Sequence, residues 1–315
     1  MAEEQNTIRD EFLLEVIHPP VRETYLLVSS QTGASTGAVL RYSGTSGAFL
    51  DTFAEGGGLA DPLGLAIGPD GNLYVASANS GAVLRFNGLT GAFIDAFASG
   101  SKLSTPFNGP INIVFGPDEN LYVSSSGDNA VLRYSGKTGS FIDTFATLAK
   151  SDAQPRGLVF GPDNNLYVVI YNYASVLRYH GQTGAFIGTF VPSGSGGLYT
   201  PSDLAFGPDG NLYVPGGDLP NTGVFRYNGQ TGAFMGVFAS CGELGPTDLV
   251  FGPDQNLYVT VQGEMNGVIR FNGTTGAFID NFVTNGSGGL QSPFGLTFYS
   301  ELIELPPVVL IEEVA

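Results

Sequence analysis

GPDGNLYVASANSGAVLRFNGLTGAFIDAF, residues 68–97, reads as three short strands separated by turns. LYVAS, AVLRF and AFIDAF are rich in Val, Ile, Tyr and Phe, and the segments between them hold Gly, Pro, Asn and Asp. No period of 3.6 residues runs through the stretch. The arginine of VLRF returns at Arg41, Arg85, Arg133, Arg178, Arg226 and Arg270, every 44 to 48 residues. Behind each arginine stands a turn and a Phe-containing strand, as in SGTSGAFLDTF, HGQTGAFIGTF and NGTTGAFIDNF. GPDxNLYV occurs five times, with Tyr74, Tyr122, Tyr167, Tyr213 and Tyr258 at its aromatic position, and YLLV at residues 25–28 stands in for the sixth. Ahead of each copy a further apolar segment starts at Pro62, Pro110, Pro155, Pro201, Pro246 or Pro293.

Four strands in a repeat of this length is the pattern of a β-propeller blade, and six copies predict six blades of four antiparallel strands. The fold class is therefore all-β. Chain order predicts how the ring closes: the first unit opens on its second strand, TYLLVSS, and the missing first strand, PFGLTFYS at residues 293–300, comes last. The C-terminal inner strand should pair with the three N-terminal strands. The propeller is expected over residues 21–300, with extensions 1–20 and 301–315 whose apolar segments, LLEVIHPP and LPPVVLIEEVA, could pack together as a seal over the closure or remain disordered.

GPDGNLYV, VLRY and TGAFIDAF resemble the NHL-type repeats of six-bladed propellers, and GPDGNLYV is also similar to the blades of streptogramin lyases of the virginiamycin B lyase type. The resemblance covers residues 21–300 and implies the fold; the same blades serve enzymes, binding modules and scaffolds.

Of 315 residues, 46 are Gly and only 13% are charged, against a hydrophobic content of 43%. Turns repeated six times account for much of the glycine. A net charge of −17 repels polyphosphates, which sets nucleic acid aside as a partner. Cys241, the single cysteine, forms no internal disulfide, and no Cys/His cluster suggests structural zinc. The acidic N-terminus does not read as a signal peptide and no apolar run approaches a membrane span, so a cytoplasmic monomer without membrane contact is the default, secreted or periplasmic only if a leader has been removed.

Residues present in every copy are read as structural. The arginines should pair with nearby carboxylates or carbonyls, and the GPD aspartates should cap their own turns. The connections from second to third strand, and from blade to blade, vary instead, and they share one face. That variable loop face is the candidate for function.

At its centre the second residue past each proline reads Gly64, Asn112, Gly157, Asp203, Asp248 and Gly295, and blade 4 adds Arg156 one position earlier. Asn112, Asp203 and Asp248 offer oxygen ligands to Ca²⁺ or another divalent cation, or could bind a polar substrate. No organic cofactor is indicated. Arg156, Tyr171, Tyr173 and Asp218 are further ligand-binding candidates around the mouth, with Asp128 and Glu264 beside them. Metal-dependent lactonases of the gluconolactonase and senescence-marker type carry Asp, Asn and Glu ligands near this place; here Ser202 and Thr247 fill the slot after proline, and no equivalent glutamate is evident. His18 and His180 do not read as general bases, and Cys241 does not read as a nucleophile. The sequence therefore points first to a binding scaffold for a protein, glycan or small molecule. The alternative is a lyase or hydrolase, or an enzyme of specialised metabolism, using a divalent metal at the channel mouth. With the arginines assigned to the scaffold, cations, sugars and neutral ligands are expected ahead of anions.

Overall fold

The computed structural model describes residues 12–16, 21–33, 36–99, 109–150, 152–303 and 308–312. Six four-stranded antiparallel sheets follow one another around a β-propeller. Blade 2 is the simplest, with strands Pro62–Ile67, Leu73–Ser77, Ala82–Phe86 and Phe93–Ser99 in sequence order. Blades 3, 4 and 6 repeat it from Pro110, Pro155 and Gly245, and blade 5 from Ala205. Blade 1 is assembled from both ends: Leu296–Ile303 lies beside Val21–Gly33, which pairs in turn with Thr36–Ser43 and Phe49–Glu55.

Two starts differ from expectation. The first strands of blades 5 and 1 join their ladders at Ala205 and Leu296, not at Pro201 and Pro293. In blades 2, 3 and 4 the ladder also slips just after the proline, leaving the next two residues out of pairing, and in blade 6 the slip leaves Thr247 out while Asp248 pairs with Thr260.

The described residues form two compact units. One, Tyr25–Tyr299, is the body of the propeller; the other takes Met1–Thr24 and Ser300–Ala315, and within it Phe12–Val16 pairs antiparallel with Val308–Glu312. His18 and much of both predicted extensions lie outside the described residues.

Repeated residues hold blades to each other. Tyr74 is fully buried and meets Phe97 of its own blade and Phe115 of the next, both edge to face at 4.9 Å. Tyr122, Tyr167, Tyr213 and Tyr258 repeat the arrangement, the last reaching Phe298 of the C-terminal strand at 4.9 Å. Each such contact contributes about 0.5–1.5 kcal/mol beyond its area burial.

The two uniform turns of each blade touch. Asp70 accepts from the Asn72 backbone N–H at 3.1 Å, the Asn72 amide at 2.7 Å and the Tyr74 hydroxyl at 3.0 Å, while Asn72 Oδ1 accepts from Gly88 N of the next turn at 3.1 Å. The aspartate thus caps its own turn, as expected. Burial pushes the Asp70 carboxyl up, but those hydrogen bonds and nearby Arg85 outweigh it and hold the group below the usual carboxylate range. Gly91 has φ +68°, and a Cβ there would overlap the Phe53 carbonyl of the preceding blade.

Arg41, Arg85, Arg133 and Arg270 each make a two-pronged pair with the aspartate opposite in the fourth strand, Nη2 to Oδ2 at 2.5–2.6 Å. Blades 4 and 5 carry Gly188 and Gly236 in that place, opposite Arg178 and Arg226. Gly188 has open space where a Cβ would stand and no positive φ, whereas Gly236 has φ +138°. Gly188→Asp should therefore restore the pair with Arg178 and restrict the unfolded chain, raising stability by about 1 kcal/mol. Thermal unfolding reads the result; an unchanged or lower midpoint would contradict it.

Candidate functional site: the channel and its mouth

Two consecutive residues follow the proline at the start of each blade, inside the strand in blades 2, 3, 4 and 6 and just ahead of it in blades 5 and 1. The first of each pair, directly after proline, is Leu63, Ile111, Arg156, Ser202, Thr247 or Phe294. Ser202 Oγ donates to the Pro246 carbonyl at 3.2 Å, and Thr247 Oγ1 lies 3.1 Å from that of Pro293, so both hydroxyls tie neighbouring blades together.

The second residue of each pair forms the polar layer. Asn112, Asp203 and Asp248 are buried, at 7%, 6% and 7% exposure. The Asn112 amide donates to Asp203 Oδ1 at 3.0 Å, reaching across blade 4. Gly157 makes that span possible, because a Cβ there would overlap both Oδ1 and Cα of Asp203. Asn112 Oδ1 accepts from Ile113 N at 2.7 Å. Asp248 accepts from Leu249 N at 2.6 Å through Oδ1, and from Leu296 N of the C-terminal segment at 3.0 Å through Oδ2.

Asp203 and Asp248 are neighbouring buried carboxyl groups, and two such groups side by side favour a state in which they hold one proton between them. Burial pushes Asp203 well above the usual carboxylate range, and the neighbouring charge of Asp248 pushes it the same way, against the Leu204 N–H and the Asn112 amide. Burial also raises Asp248, opposed by the bond from Asp203 and by the Leu296 and Leu249 N–H groups. The pair therefore titrates as a unit that keeps one proton above the ordinary carboxylate range.

The structure brings together the three residues that the sequence offered as cation ligands: Asn112 is hydrogen bonded to Asp203, and Asp248 neighbours Asp203. The amide turns its nitrogen to Asp203 and its oxygen to backbone, and both Asp248 oxygens accept from backbone N–H groups. Among the described residues no group of three or more His, Cys, Asp and Glu side chains is placed to hold a metal ion.

Arg156 lies one position above this layer. Its guanidinium sits 3.6 Å from the centre of the Tyr171 ring, and no carboxylate among the described residues is within ion-pair distance. Burial pushes Arg156 below its ordinary value. It lines a cavity of about 350 Å³ with Asp61, Asn79, Ser126 and Gln154 from variable connections and Ile111 from the first strand of blade 3. Burial raises the Asp61 carboxyl.

Other candidates lie apart. Tyr173 is on the far side of its loop, where Lys150 Nζ stands 3.6 Å over its ring and its hydroxyl donates to Asp152 at 2.6 Å. Asp218 is exposed at the tip of a hairpin opposite Asn221, and Asp128 accepts from Ser125 Oγ at 2.9 Å. Glu264 is exposed. His180 is exposed and accepts from Gln182 N at 3.3 Å within its turn. Cys241 is buried, and its thiol is pushed up to about 12.

Sequence reasoning missed a larger cavity, about 640 Å³, between the connector after blade 3 and the outer half of blade 4. Its signal was a connector, TLAKSDAQ, that lacks the paired glycines of EGGGLAD, PSGSGGLYT and TNGSGGLQS.

No family model matches the sequence, and no curated protein matches it. Among solved structures, the chain is similar to a catalytically inactive His-to-Ala variant of virginiamycin B lyase from Staphylococcus aureus, solved with quinupristin. The two are 17% identical with a TM-score of 0.54 over 82% of this chain and 73% of that one. It is similar to a nidogen/laminin complex at 17% identity, TM-score 0.63, covering 87% and 98%. A gluconolactonase from Xanthomonas campestris gives 16% identity and a TM-score of 0.54, covering 81% and 96%. These likenesses are of fold.

Proposed function

We propose that the protein is a non-catalytic binding propeller that takes a small, polar, carboxylate-bearing molecule, such as an acidic sugar, in the cavity at the mouth of its channel. The observation that carries this reading is Arg156: a desolvated guanidinium, stacked on Tyr171, without a carboxylate of its own among the described residues, and lining a cavity with amide and hydroxyl groups. A guanidinium so placed offers a planar fork to a carboxylate, and Asn79, Gln154 and Ser126 offer partners to hydroxyls. The overall negative charge pointed away from anions; Arg156 is a local exception to it.

The neighbours include a lyase and a lactonase. For the lyase, a variant lacking one histidine is catalytically inactive, whereas the described residues here hold a single histidine, His180, in an exposed turn. A second reading, a divalent-cation site at Asn112, Asp203 and Asp248 serving a lyase or hydrolase, is favoured by their convergence. A cation there would have to displace the shared proton and compete with the Ile113, Leu249 and Leu296 N–H groups for the same oxygens.

Calorimetric titration with galacturonate and with galactose tests the first reading. Galacturonate should bind and galactose should bind at least tenfold more weakly, since a charge-assisted bond contributes about 1.5–3 kcal/mol. Arg156→Ala should remove that difference. Equal affinities for the two sugars, or an unaffected variant, would overturn the assignment.

A further inference from the structure

Three connectors of this propeller share a device. Before blade 5, the turn at Ser195–Gly197 places the Ser195 carbonyl 2.8 Å from the Tyr227 hydroxyl, which donates to it. Gly196 of that turn lies flat on the Phe234 ring, so close that a Cβ would overlap the ring. Leu198 then enters the core at 2% exposure. Before blade 1, Ser287 O accepts from Tyr42 at 2.8 Å, Gly288 lies on Phe49, and Leu290 is buried. Before blade 2, Gly57 lies on Phe93 and Leu59 is buried.

Blade 4 presents the same receiving surface without the turn. Tyr179 and Phe186 stand where Tyr227 and Phe234 stand in blade 5, each pair meeting at similar distances, 5.6 and 5.7 Å. The connector ahead of them carries Ala149 and Lys150 instead of paired glycines. Phe186 is accordingly 59% exposed, against 38%, 42% and 40% for Phe49, Phe93 and Phe234. The Tyr179 hydroxyl has no hydrogen-bond partner among the described residues. The space left behind is the cavity of about 640 Å³, with Leu148, Ala153, Ile170 and Leu177 on its apolar walls and Lys150 at its rim.

We propose that this groove on blade 4 is a binding site for a glycine-containing peptide segment of Ser-Gly-Gly-Leu type, supplied from outside the blade. Its occupant is defined by what fills the sibling grooves. A backbone carbonyl receives the Tyr179 proton, a methylene without a side chain lies on Phe186, and an apolar side chain enters among Leu148, Ala153 and Leu177. A side chain at the middle glycine has no room in blades 5 and 1, and the same ring geometry imposes the same selection here. The site is separate from Arg156 and the channel, and it stands whether or not that cavity binds acidic sugars.

The probe is the peptide acetyl-Gly-Ser-Gly-Gly-Leu-amide, the sequence of residues 194–198, titrated into the full chain and followed by methyl NMR shifts of Leu148, Ile170 and Leu177. Saturable binding with a dissociation constant of about 1 mM or tighter is expected. Tyr179→Phe should weaken it about fivefold, the size of one neutral hydrogen bond, while Tyr227→Phe leaves it unchanged. A peptide with alanine at the position of Gly196 should lose binding. No saturable shift with the wild-type chain, equal affinity of the alanine peptide, or equal effects of the two tyrosine substitutions would overturn the proposal.

Discussion

Deleting residues 290–315 should abolish cooperative unfolding. The segment completes blade 1 and is gripped from both sides of the closure. On blade 6, Thr260 Oγ1 donates to the Phe294 carbonyl at 2.7 Å, Gln262 Nε2 to that of Pro293 at 2.9 Å, and Tyr258 packs edge to face on Phe298. On blade 1, Ser29 N donates to Gly295 O at 2.9 Å, Gly295 N donates to Ser29 Oγ at 2.8 Å, and Tyr25 stacks on Tyr299 with centroids 6.3 Å apart. Removing it opens the ring and exposes two sheet faces and an unpaired edge, a loss far larger than the ~5–15 kcal/mol that holds a typical domain. Calorimetry should show a broad transition of low enthalpy. A truncated chain that melts like the intact one would contradict ring closure.

The second large effect belongs to Asp203. Asp203→Ala leaves the Asn112 amide and the Asp248 carboxylate without their shared partner in a closed layer, and should cost about 3 kcal/mol or more. Asp203→Asn should behave oppositely: its oxygen can accept from Asn112 and Leu204 N, its nitrogen can donate to Asp248, and no proton has to be taken up. The direction with pH follows from the raised folded-state pKa values of the pair. A raised group stabilises fully below the unfolded carboxyl value, near 4, and loses that contribution as pH rises through its folded value. For the shared proton each pH unit of that rise costs about 1.4 kcal/mol. Asp70, Asp163 and Asp209, held below the usual range, act in the opposite sense and lose their contribution as pH falls. They are common to both chains and cancel in the comparison. Asp203→Asn should therefore match the wild type below about pH 4 and exceed it increasingly as pH rises above that value. Parallel stability curves from acid to alkaline pH would contradict the shared proton.

Blade count, closure and the turn chemistry were legible because each was stated six times in the chain or followed from its order. Tyr74 and its counterparts had to serve a need met in every blade, and packing between blades is that need. Asn112, Asp203 and Asp248 were legible as a convergent set, since they interrupt a ring of glycines at one fixed distance from proline. Their pairing was not, because it depends on Gly157 leaving room for Asp203 to meet Asn112 across a blade, a close approach that one-dimensional spacing does not show. The stacking of Arg156 on Tyr171 depends on how the connection after the second strand turns back beside the start of the first, which strand periodicity does not encode. The open groove at Tyr179 was written in the sequence as an absence, a connector without the glycine pair, and becomes meaningful only beside the loops that fill the same groove elsewhere.

Infrared difference spectroscopy of Asp203→Asn against wild type at neutral pH tests the central claim, that the channel layer is closed by one shared proton. The wild type should show the carbonyl band of a single buried, protonated carboxylic acid that is absent from the variant and unchanged by Ca²⁺. Absence of the band, or its loss on adding Ca²⁺, would contradict the claim and leave Asn112, Asp203 and Asp248 as cation ligands.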